Sequence, residues 1–282
     1  MASTLGFTLT PNVDNYCVMG NPIKHSKSPQ IHAMFAAQCR LALHYQAVLV
    51  EPEYFTEALS LFQQQGGKGL NVTVPFKVDA WREIKHLSVR AKKAEAVNTI
   101  WFDDDGYSHG DNTDGIGLVN DLNANAIRLQ DKRVMILGAG GAARGVLASL
   151  AGQGLKDLSV VNRTLSKAQE LKRLFADEID IQVCAYDECI DVSPDIIINA
   201  TSAGLQGQLP PLRAELVAGA ICYDMVYASE DTAFVSWAKA NGAKLALDGL
   251  GMLVEQAAES FYLWTDQRPQ TKSVIESLRN HL

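Results

Sequence analysis

Val134–Ala151 reads VMILGAGGAARGVLASLA. The apolar run Val134–Leu137 has the composition of a buried parallel strand. It passes through Gly138-Ala139-Gly140-Gly141-Ala142-Ala143 into a helix-forming stretch. Gly138, Gly140 and Ala143 match the G-x-G-x-x-G/A spacing of a dinucleotide-binding turn. The first glycine allows a sharp turn, the second lets the backbone approach a pyrophosphate, and the small third residue lets helix pack on strand. The free N–H groups and positive dipole end of the helix then face the phosphates. Alone, the spacing also fits a tight strand-to-helix turn with no ligand, so the flanking sequence has to decide.

Downstream, strand and helix alternate regularly. Asp157–Asn162, Ile181–Cys184, Asp195–Asn199, Ala220–Met225 and Lys244–Leu247 read as strands, and Ser166–Phe175 as a helix. Together with Val134–Leu137 they predict a doubly wound parallel α/β sheet of the Rossmann type. The tip of the second strand bears on the cofactor. A site for NAD places an Asp or Glu there to hold the ribose hydroxyls. Here the tip is Asn162-Arg163-Thr164, with Lys167 close behind and no carboxylate. Guanidinium and hydroxyl groups suit a ribose 2′-phosphate, so the expected cofactor is NADP. The plainer alternative is a solvated loop arginine. Asn199–Gly204 (NATSAG) closes the strongest strand, at the carboxyl edge where such sheets bind ligands.

Upstream the pattern is less regular. Tyr16–Gly20, His44–Val50, Leu70–Val74, Ala96–Trp101 and Tyr107–Gly110 read as strands. Helices are expected from Pro29 to about Arg40, over Glu53–Gln65, Val78–Arg82, Val89–Lys93 and Gly117–Asn125. Ser28 before Pro29 reads as an N-cap with proline at the first helical position. Alternation in Leu70–Val74 puts Val72 and Val74 on one face, Asn71 and Thr73 on the other. Pro75 ends that strand and Lys77 follows its tip. After Gly249-Leu250-Gly251, a long helix is expected over Met252–Trp264 and a last one over Lys272–Leu282. Strands before Asp114 and helices after Gly249 suggest a split first domain, 1–113 with 249–282. The dinucleotide domain, 114–248, would be inserted between its parts.

A lone lysine is usually a solvated surface group. Lys77, however, shares a strand tip with Asn71 and Thr73, and Asn98 and Asp114 end segments expected to neighbour it. A lysine beside an aspartate can exchange a proton with a substrate hydroxyl, which oxidation of an alcohol carbon requires. Ser26 and Ser28 offer hydroxyls near a helix start, a favourable place for a carboxylate.

The 282 residues include 47% apolar ones and carry a net charge of −7. That balance fits a globular core and argues against a general nucleic-acid binder, while leaving room for a local pocket for one small anion. No apolar run is long enough to span a bilayer. The five cysteines, Cys17, Cys39, Cys184, Cys189 and Cys222, form no C-x-x-C pair. They read as reduced thiols, and with no secretory signal visible the expectation is a cytoplasmic protein without a metal site.

At this point a family resemblance becomes specific. GNPIKHSKSPQIH, within Tyr16–Phe35, resembles the substrate loop of shikimate dehydrogenases. So do NVTVPFK (Asn71–Lys77), AVNT (Ala96–Thr99), DNTDGIG (Asp111–Gly117), GAGGAARG (Gly138–Gly145), NRT (Asn162–Thr164), INATSAG, YDMVY and DGLGMLVEQA. The motifs come in family order and span nearly the whole chain.

The resemblance implies a substrate domain completed by the C-terminal helices, beside an NADP domain. It implies NADP-dependent, reversible reduction of 3-dehydroshikimate to shikimate, by a monomer or homodimer. Lys77 would be the acid/base and Asp114 its partner. Ser26 and Ser28 would hold the substrate carboxylate; Thr73, Asn98, Asp114 and Gln256 the ring hydroxyls or the lysine; Tyr227 would reach the substrate as well. Gly138, Ala139, Gly140, Gly141 and Ala142 would bind pyrophosphate, and Asn162, Arg163, Thr164 and Lys167 the adenosine ribose phosphate. Thr201, Met225, Gly249 and Met252 would line the nicotinamide side. For Met252 and Gln256 the plainer reading is an ordinary helix face.

Two departures stand out: Val89 occupies a place where relatives often carry an acid, and ASEDTAF after Tyr227 lacks a proline pair common in relatives. The alternatives kept open are a quinate/shikimate enzyme preferring NAD, and a non-catalytic nucleotide-binding protein on the same fold.

Overall fold

A computed structural model describes residues 7–188, 193–201, 203–204 and 207–281. Cys189, Ser202 and Leu282, which figure in the readings above, lie outside the described residues. Elements in the first part of the chain are β1 (Asp14–Gly20), α1 (Ser28–Cys39), β2 (Leu43–Leu49), α2 (Phe55–Gln64) and β3 (Gly69–Val72). Next come α3 (Lys77–Glu83), β4 (His86–Leu87), α4 (Val89–Ala94), β5 (Thr99–Phe102) and β6 (Ser108–Asp111). The chain continues with α5 (Asp114–Ala124), β7 (Arg133–Leu137), α6 (Gly141–Ala151), β8 (Asp157–Val161), α7 (Leu165–Leu174) and β9 (Ile181–Cys184). It ends with β10 (Ile196–Asn199), β11 (Ile221–Asp224), α8 (Ala233–Ala240), β12 (Leu245–Leu247), α9 (Leu250–Thr265) and α10 (Lys272–Arg279). Two compact units result: Met1–Thr113 with Val254–Glu276 (unit 1), and Asp114–Leu253 with Ser277–Leu282 (unit 2).

Unit 1 holds one sheet in the order β2-β1-β3-β5-β6-β4. β1 runs parallel to β2 and β3, while β5 is antiparallel to both β3 and β6. The strands β1 and β3 are buried along nearly their whole length, as expected of strands covered on both faces. One core gathers Cys17, Met19, Leu70, Val72, Phe76 and Ile100 beneath α2. Val72 and Val74 do not share a face as their alternation predicted: Val74 is 65% exposed. The strand stops at Val72 because the chain turns at Thr73–Phe76, where the Phe76 N–H donates to the Thr73 carbonyl. Ser28 is also not the N-cap. Lys27 occupies that position without a side-chain cap, and Ser28 is the first helical residue.

Unit 2 is the doubly wound sheet, in the order β12-β11-β10-β7-β8-β9 with every pair parallel. All six strands read from the sequence are present. Its core packs Ile136, Leu147, Val160, Ile198 and Tyr223 under α5, α6 and α7. Gly115 lets α5 and α6 approach closely: a Cβ there would lie 2.5 Å from Ser149 Oγ and 2.9 Å from the Gly145 carbonyl. α5 begins at Asp114, three residues before the expected start. An acidic residue in the first turn favours that start through the helix dipole.

Cys17, Cys39 and Cys222 are free thiols, but Cys184 is disulfide-bonded, which corrects the reading of reduced thiols throughout. Among the described residues no helix is long and apolar enough to cross a membrane.

Candidate active site

In unit 1 the ends of four strands meet. The Val72 N–H donates to the Asn98 carbonyl, Asn98 N–H to the Asp111 carbonyl, Val97 N–H to the Lys77 carbonyl, and Asn21 N–H to the Val74 carbonyl. These bonds fix the backbone of Thr73, Lys77 and Asn98 together. Gly20 is required here, because a Cβ would come within 2.4 Å of Thr73 Cγ2. Lys77 is half-buried at the first position of α3.

The side chains at these tips form a continuous hydrogen-bonded cluster. The Ser28 N–H donates to Ser26 Oγ at 3.3 Å. Burial raises the Tyr45 phenol well above its usual range, and a hydrogen bond from Ser28 opposes the rise. Tyr45 donates to Asn71 Oδ1 at 2.7 Å, and Asn71 Nδ2 donates to Ser260 Oγ and Thr99 Oγ1. Thr99 donates to Asn98 Oδ1 at 2.8 Å, and the same oxygen accepts the Thr113 N–H and hydroxyl at 2.9 and 3.1 Å. Gln256 Oε1 closes the cluster, accepting from Asn98 Nδ2 and Thr113 Oγ1 at 3.4 Å each. Thus Ser26, Ser28, Asn98 and Gln256 are linked through residues to which the sequence reading gave no role: Tyr45, Thr99, Thr113 and Ser260. Asn71 spends its amide inside the cluster.

A charged frame backs the cluster. Asp111 accepts two bonds from Arg90 and one from Ser88, and Arg90 also reaches Glu259, which pairs with Arg268. Arg90 therefore ties the end of β6, which leads into Thr113, to the helix that carries Gln256. Val89, the departure from the family pattern, is 72% exposed beside it.

In unit 2 the expected cofactor residues lie along the carboxyl edge of the sheet. Gly138 follows β7 with φ +101°, and a Cβ there would meet the Ala200 carbonyl and Thr201 Cγ2 at 3.2 Å. Only glycine fits that turn. Gly140 caps α6 without any side-chain bond, and Gly141 is its first residue. A Cβ at either would meet no protein atom within 4 Å. The two glycines, with exposed Ala142, leave a cradle at the helix N-terminus, which suits an anion. Ala143 is fully buried in the core, where helix packs on sheet.

Asn162 at the tip of β8 donates from Nδ2 to the Thr164 carbonyl at 2.8 Å, shaping the loop that exposes Arg163, Thr164 and Lys167. The loop motifs did not point to Tyr186. Burial pushes its phenol up to about 12, and the nearby Arg163 charge opposes that rise. Its signal in the sequence is an aromatic residue just past the third strand. These donors suit a dinucleotide bearing a ribose phosphate: backbone N–H groups at α6, then guanidinium, hydroxyl and ammonium groups after β8.

Thr201 is held by Asn199, whose Oδ1 accepts its N–H and hydroxyl at 3.2 and 2.7 Å. Asn199 in turn donates to Asp224, which also accepts from Thr232 and the Val226 N–H. Burial lifts the Asp224 carboxyl above its usual range, against those bonds. Gly249 packs directly on this strand end: a Cβ would lie 2.4 Å from the Met225 carbonyl. Met252 is buried in the unit 2 core. Tyr227 is half-buried, and burial raises its phenol. Asp114 belongs to unit 2, at the N-terminus of α5. Among the described residues no group of His, Cys, Asp or Glu is placed to hold a metal ion.

Comparisons with known proteins agree with this anatomy. The family model for the shikimate dehydrogenase substrate-binding domain matches residues 18–100. The shikimate/quinate 5-dehydrogenase model matches 121–207, and the shikimate 5′-dehydrogenase C-terminal domain matches 249–279. A shikimate dehydrogenase (NADP(+)) of Alkalilimnicola ehrlichii is 51% identical over 268 residues, 94% of this chain and 98% of that protein. The crystal structure of an Ael1 enzyme from Pseudomonas putida superposes with a TM-score of 0.90 at 40% identity, covering 94% of this chain and 98% of that one. A shikimate 5-dehydrogenase from Thermus thermophilus, solved in complex with NADP(H) and shikimate, superposes with a TM-score of 0.86 at 32% identity. It covers 95% of this chain and 100% of that one. The chain belongs to the shikimate dehydrogenase family.

Proposed function

We propose that this protein is an NADP-dependent shikimate dehydrogenase, which reduces the ketone of 3-dehydroshikimate reversibly to the alcohol of shikimate. The observation that carries the reading is the neutral cluster of Ser28, Asn98, Thr113 and Gln256 in unit 1. Converging hydroxyl and amide groups suit a polyhydroxylated ring. In this reading residues 1–113 and 249–282 serve the substrate, and 114–248 the cofactor.

When bound, the dinucleotide supplies a hydride; every other function falls to the chain itself. Lys77 donates an ammonium proton to the oxygen that gains charge as the ketone is reduced, and recovers it in the reverse direction. Asp114 acts with Lys77 as its partner in that transfer. Ser26 and Ser28 bind the carboxylate, Thr73, Asn98 and Gln256 orient the ring, and Tyr227 contacts the substrate. Gly138–Ala142 and Asn162–Lys167 hold the phosphates, and Thr201, Met225, Gly249 and Met252 serve the nicotinamide end. The reading includes a cytoplasmic enzyme acting as a monomer or homodimer.

The test is the initial rate of nicotinamide absorbance change with purified protein. NADPH with 3-dehydroshikimate should turn over, and NADP with shikimate should do so far faster than NAD with quinate. Absence of any shikimate-dependent change would overturn the proposal; a preference for NAD and quinate would replace it with the quinate/shikimate reading.

A further inference from the structure

Arg279, the last residue of α10, lies far in sequence from every motif that describes the site. In unit 2 its guanidinium nevertheless ends at the carboxyl edge of the sheet. Nη2 donates to Asp248 Oδ1 at 2.5 Å and Nη1 to Oδ2 at 2.7 Å, the parallel fork of a bidentate pair. Nη1 also donates to the Ala228 carbonyl at 3.2 Å. The Asp248 side chain is only 9% exposed, against 42% for Arg279. Asp248 Oδ1 further accepts the Leu250 N–H at 3.2 Å, so the same carboxylate caps the first turn of α9.

Ala228 directly follows Met225-Val226-Tyr227, and Asp248 directly precedes Gly249–Met252. Arg279 therefore bonds at once to the two segments that hold the expected nicotinamide-side residues of unit 2. A backbone bond links the same segments. Gly249 N–H donates to the Val226 carbonyl at 3.1 Å, and the glycine has no side chain to keep the strands apart. Arg279 adds a side-chain fastening that spans from one segment to the other.

We propose that Arg279 is a positioning residue for hydride transfer: it clamps the Met225–Ala228 segment to the Asp248–Met252 segment and so fixes the wall against which the nicotinamide lies. The inference rests on the dehydrogenase reading above. An exposed ion pair contributes little to global stability. A bidentate pair on a nearly buried carboxylate, shared with a backbone carbonyl, acts instead on geometry, and small misplacements at a reacting centre are costly in rate.

The test uses full-length Arg279→Gln and Arg279→Lys, with two readouts. In the ligand-free protein, amide hydrogen exchange in 226–231 and 249–253 should quicken roughly tenfold in Arg279→Gln and remain unchanged elsewhere in unit 2. In turnover, kcat should fall roughly five- to twentyfold, and the isotope effect from NADPH deuterated at nicotinamide C4 should rise. The KM for 3-dehydroshikimate and inhibition by 2′,5′-ADP, a probe of the adenosine end alone, should stay within about twofold. Arg279→Lys keeps the charge but loses the fork, and should fall between the two. Unchanged exchange and isotope effect in Arg279→Gln would overturn the clamp. So would a loss of kcat that merely tracks lost thermal stability at a constant isotope effect. If Arg279→Gln does not fold, Arg279→Lys carries the same comparison. A wild-type protein without turnover would defeat the dehydrogenase reading instead, while the exchange data would still report on the fastening.

Discussion

The two candidate regions are built on opposite principles. The cluster in unit 1 is assembled from side chains, drawn from β2, β3, β5, α9 and the turn after β6, and most of its polar atoms are engaged with one another. The carboxyl edge of unit 2 is assembled from backbone: a glycine turn, an uncapped helix start and a loop tip, all within short contiguous stretches. The first arrangement holds each donor and acceptor in place before any ligand arrives, which suits discrimination among ring hydroxyls. The second offers generic donors to phosphate, which suits a large cofactor whose recognition needs few specific side chains.

The sharpest way to break this contrast is Lys77→Ala. If unit 1 is a pre-organised frame with one proton-transferring group, the substitution should lower kcat by roughly two to four orders of magnitude while KM for shikimate moves only modestly. Steady-state kinetics with both substrates measures the split. Near-normal turnover would remove Lys77 from the mechanism.

The glycines of unit 2 allow the next comparison. A Cβ at Gly141 meets no protein atom within 4 Å, so in Gly141→Leu the melting temperature should hold while NADPH affinity drops by roughly an order of magnitude or more. Gly249→Ala forces a Cβ onto the Met225 carbonyl, so stability itself should fall. Thermal denaturation and a fluorescence titration with NADPH, run on both variants, test the difference. Equal melting losses in the two would mean that the cradle at α6 is structural after all.

A smaller effect belongs to Arg163→Gln. Loss of one charge-assisted contact to a ribose phosphate should cut the preference for NADP over NAD by roughly ten- to a hundredfold, through KM for NADP. NAD kinetics should stay nearly constant. A parallel loss with both cofactors would place Arg163 away from the 2′-phosphate.

How much of this was legible in the sequence follows from the same contrast. The unit 2 edge is local: Gly138, Gly140 and Ala143 lie within six residues, and their roles follow from turn geometry. The six strands followed from the regular alternation of strand and helix, while their order across the sheet came from the fold. The unit 1 cluster is non-local. Asn71 faces Thr99 only because β3 and β5 pair in that register, and Ser260 joins them from a helix far along the chain. Composition and spacing carry no trace of such a meeting: Thr99 and Thr113 stand in the quoted motifs without a role, and Tyr45 and Ser260 emerge only from the fold. Local rules also misled in two places. Ser-Pro reads as cap and first turn, but the helix begins one residue earlier and the Ser28 hydroxyl is used by Tyr45. The alternation of Leu70–Val74 overran the strand, because the turn before α3 takes over at Thr73. The role of Arg279 was invisible for the same reason as the cluster: it depends on where a terminal helix ends in space.

The least conspicuous member of unit 1 yields a prediction in solution pH. His32, on α1, is fully buried and stacks flat on Tyr45, with ring centroids 4.2 Å apart, among Phe35, Phe261 and Trp264. Neither ring nitrogen has a hydrogen-bond partner in proper geometry. Burial drives its pKa from 6.5 down to about 3, and the neighbouring Asn71 side chain offsets only part of that. The folded protein thus keeps His32 neutral where the unfolded chain binds a proton. Between about pH 6.5 and about pH 3 the unfolded state binds more protons at this site, so stability rises with pH across that window. The contribution is complete above pH 6.5 and is lost progressively as the pH falls toward 3. His32→Phe keeps a flat ring in the aromatic stack and cannot titrate, so its unfolding free energy should depend less steeply on pH between 4 and 6 than that of the wild type. Urea denaturation at a series of pH values measures both slopes. Because Tyr45 links this stack to Asn71, the same variant asks whether the aromatic layer merely supports the polar cluster. Unchanged kinetics at pH 7.5 beside a flattened stability profile would separate the layer that holds the site from the groups that use it, whereas identical slopes would mean that His32 is not held neutral by its burial.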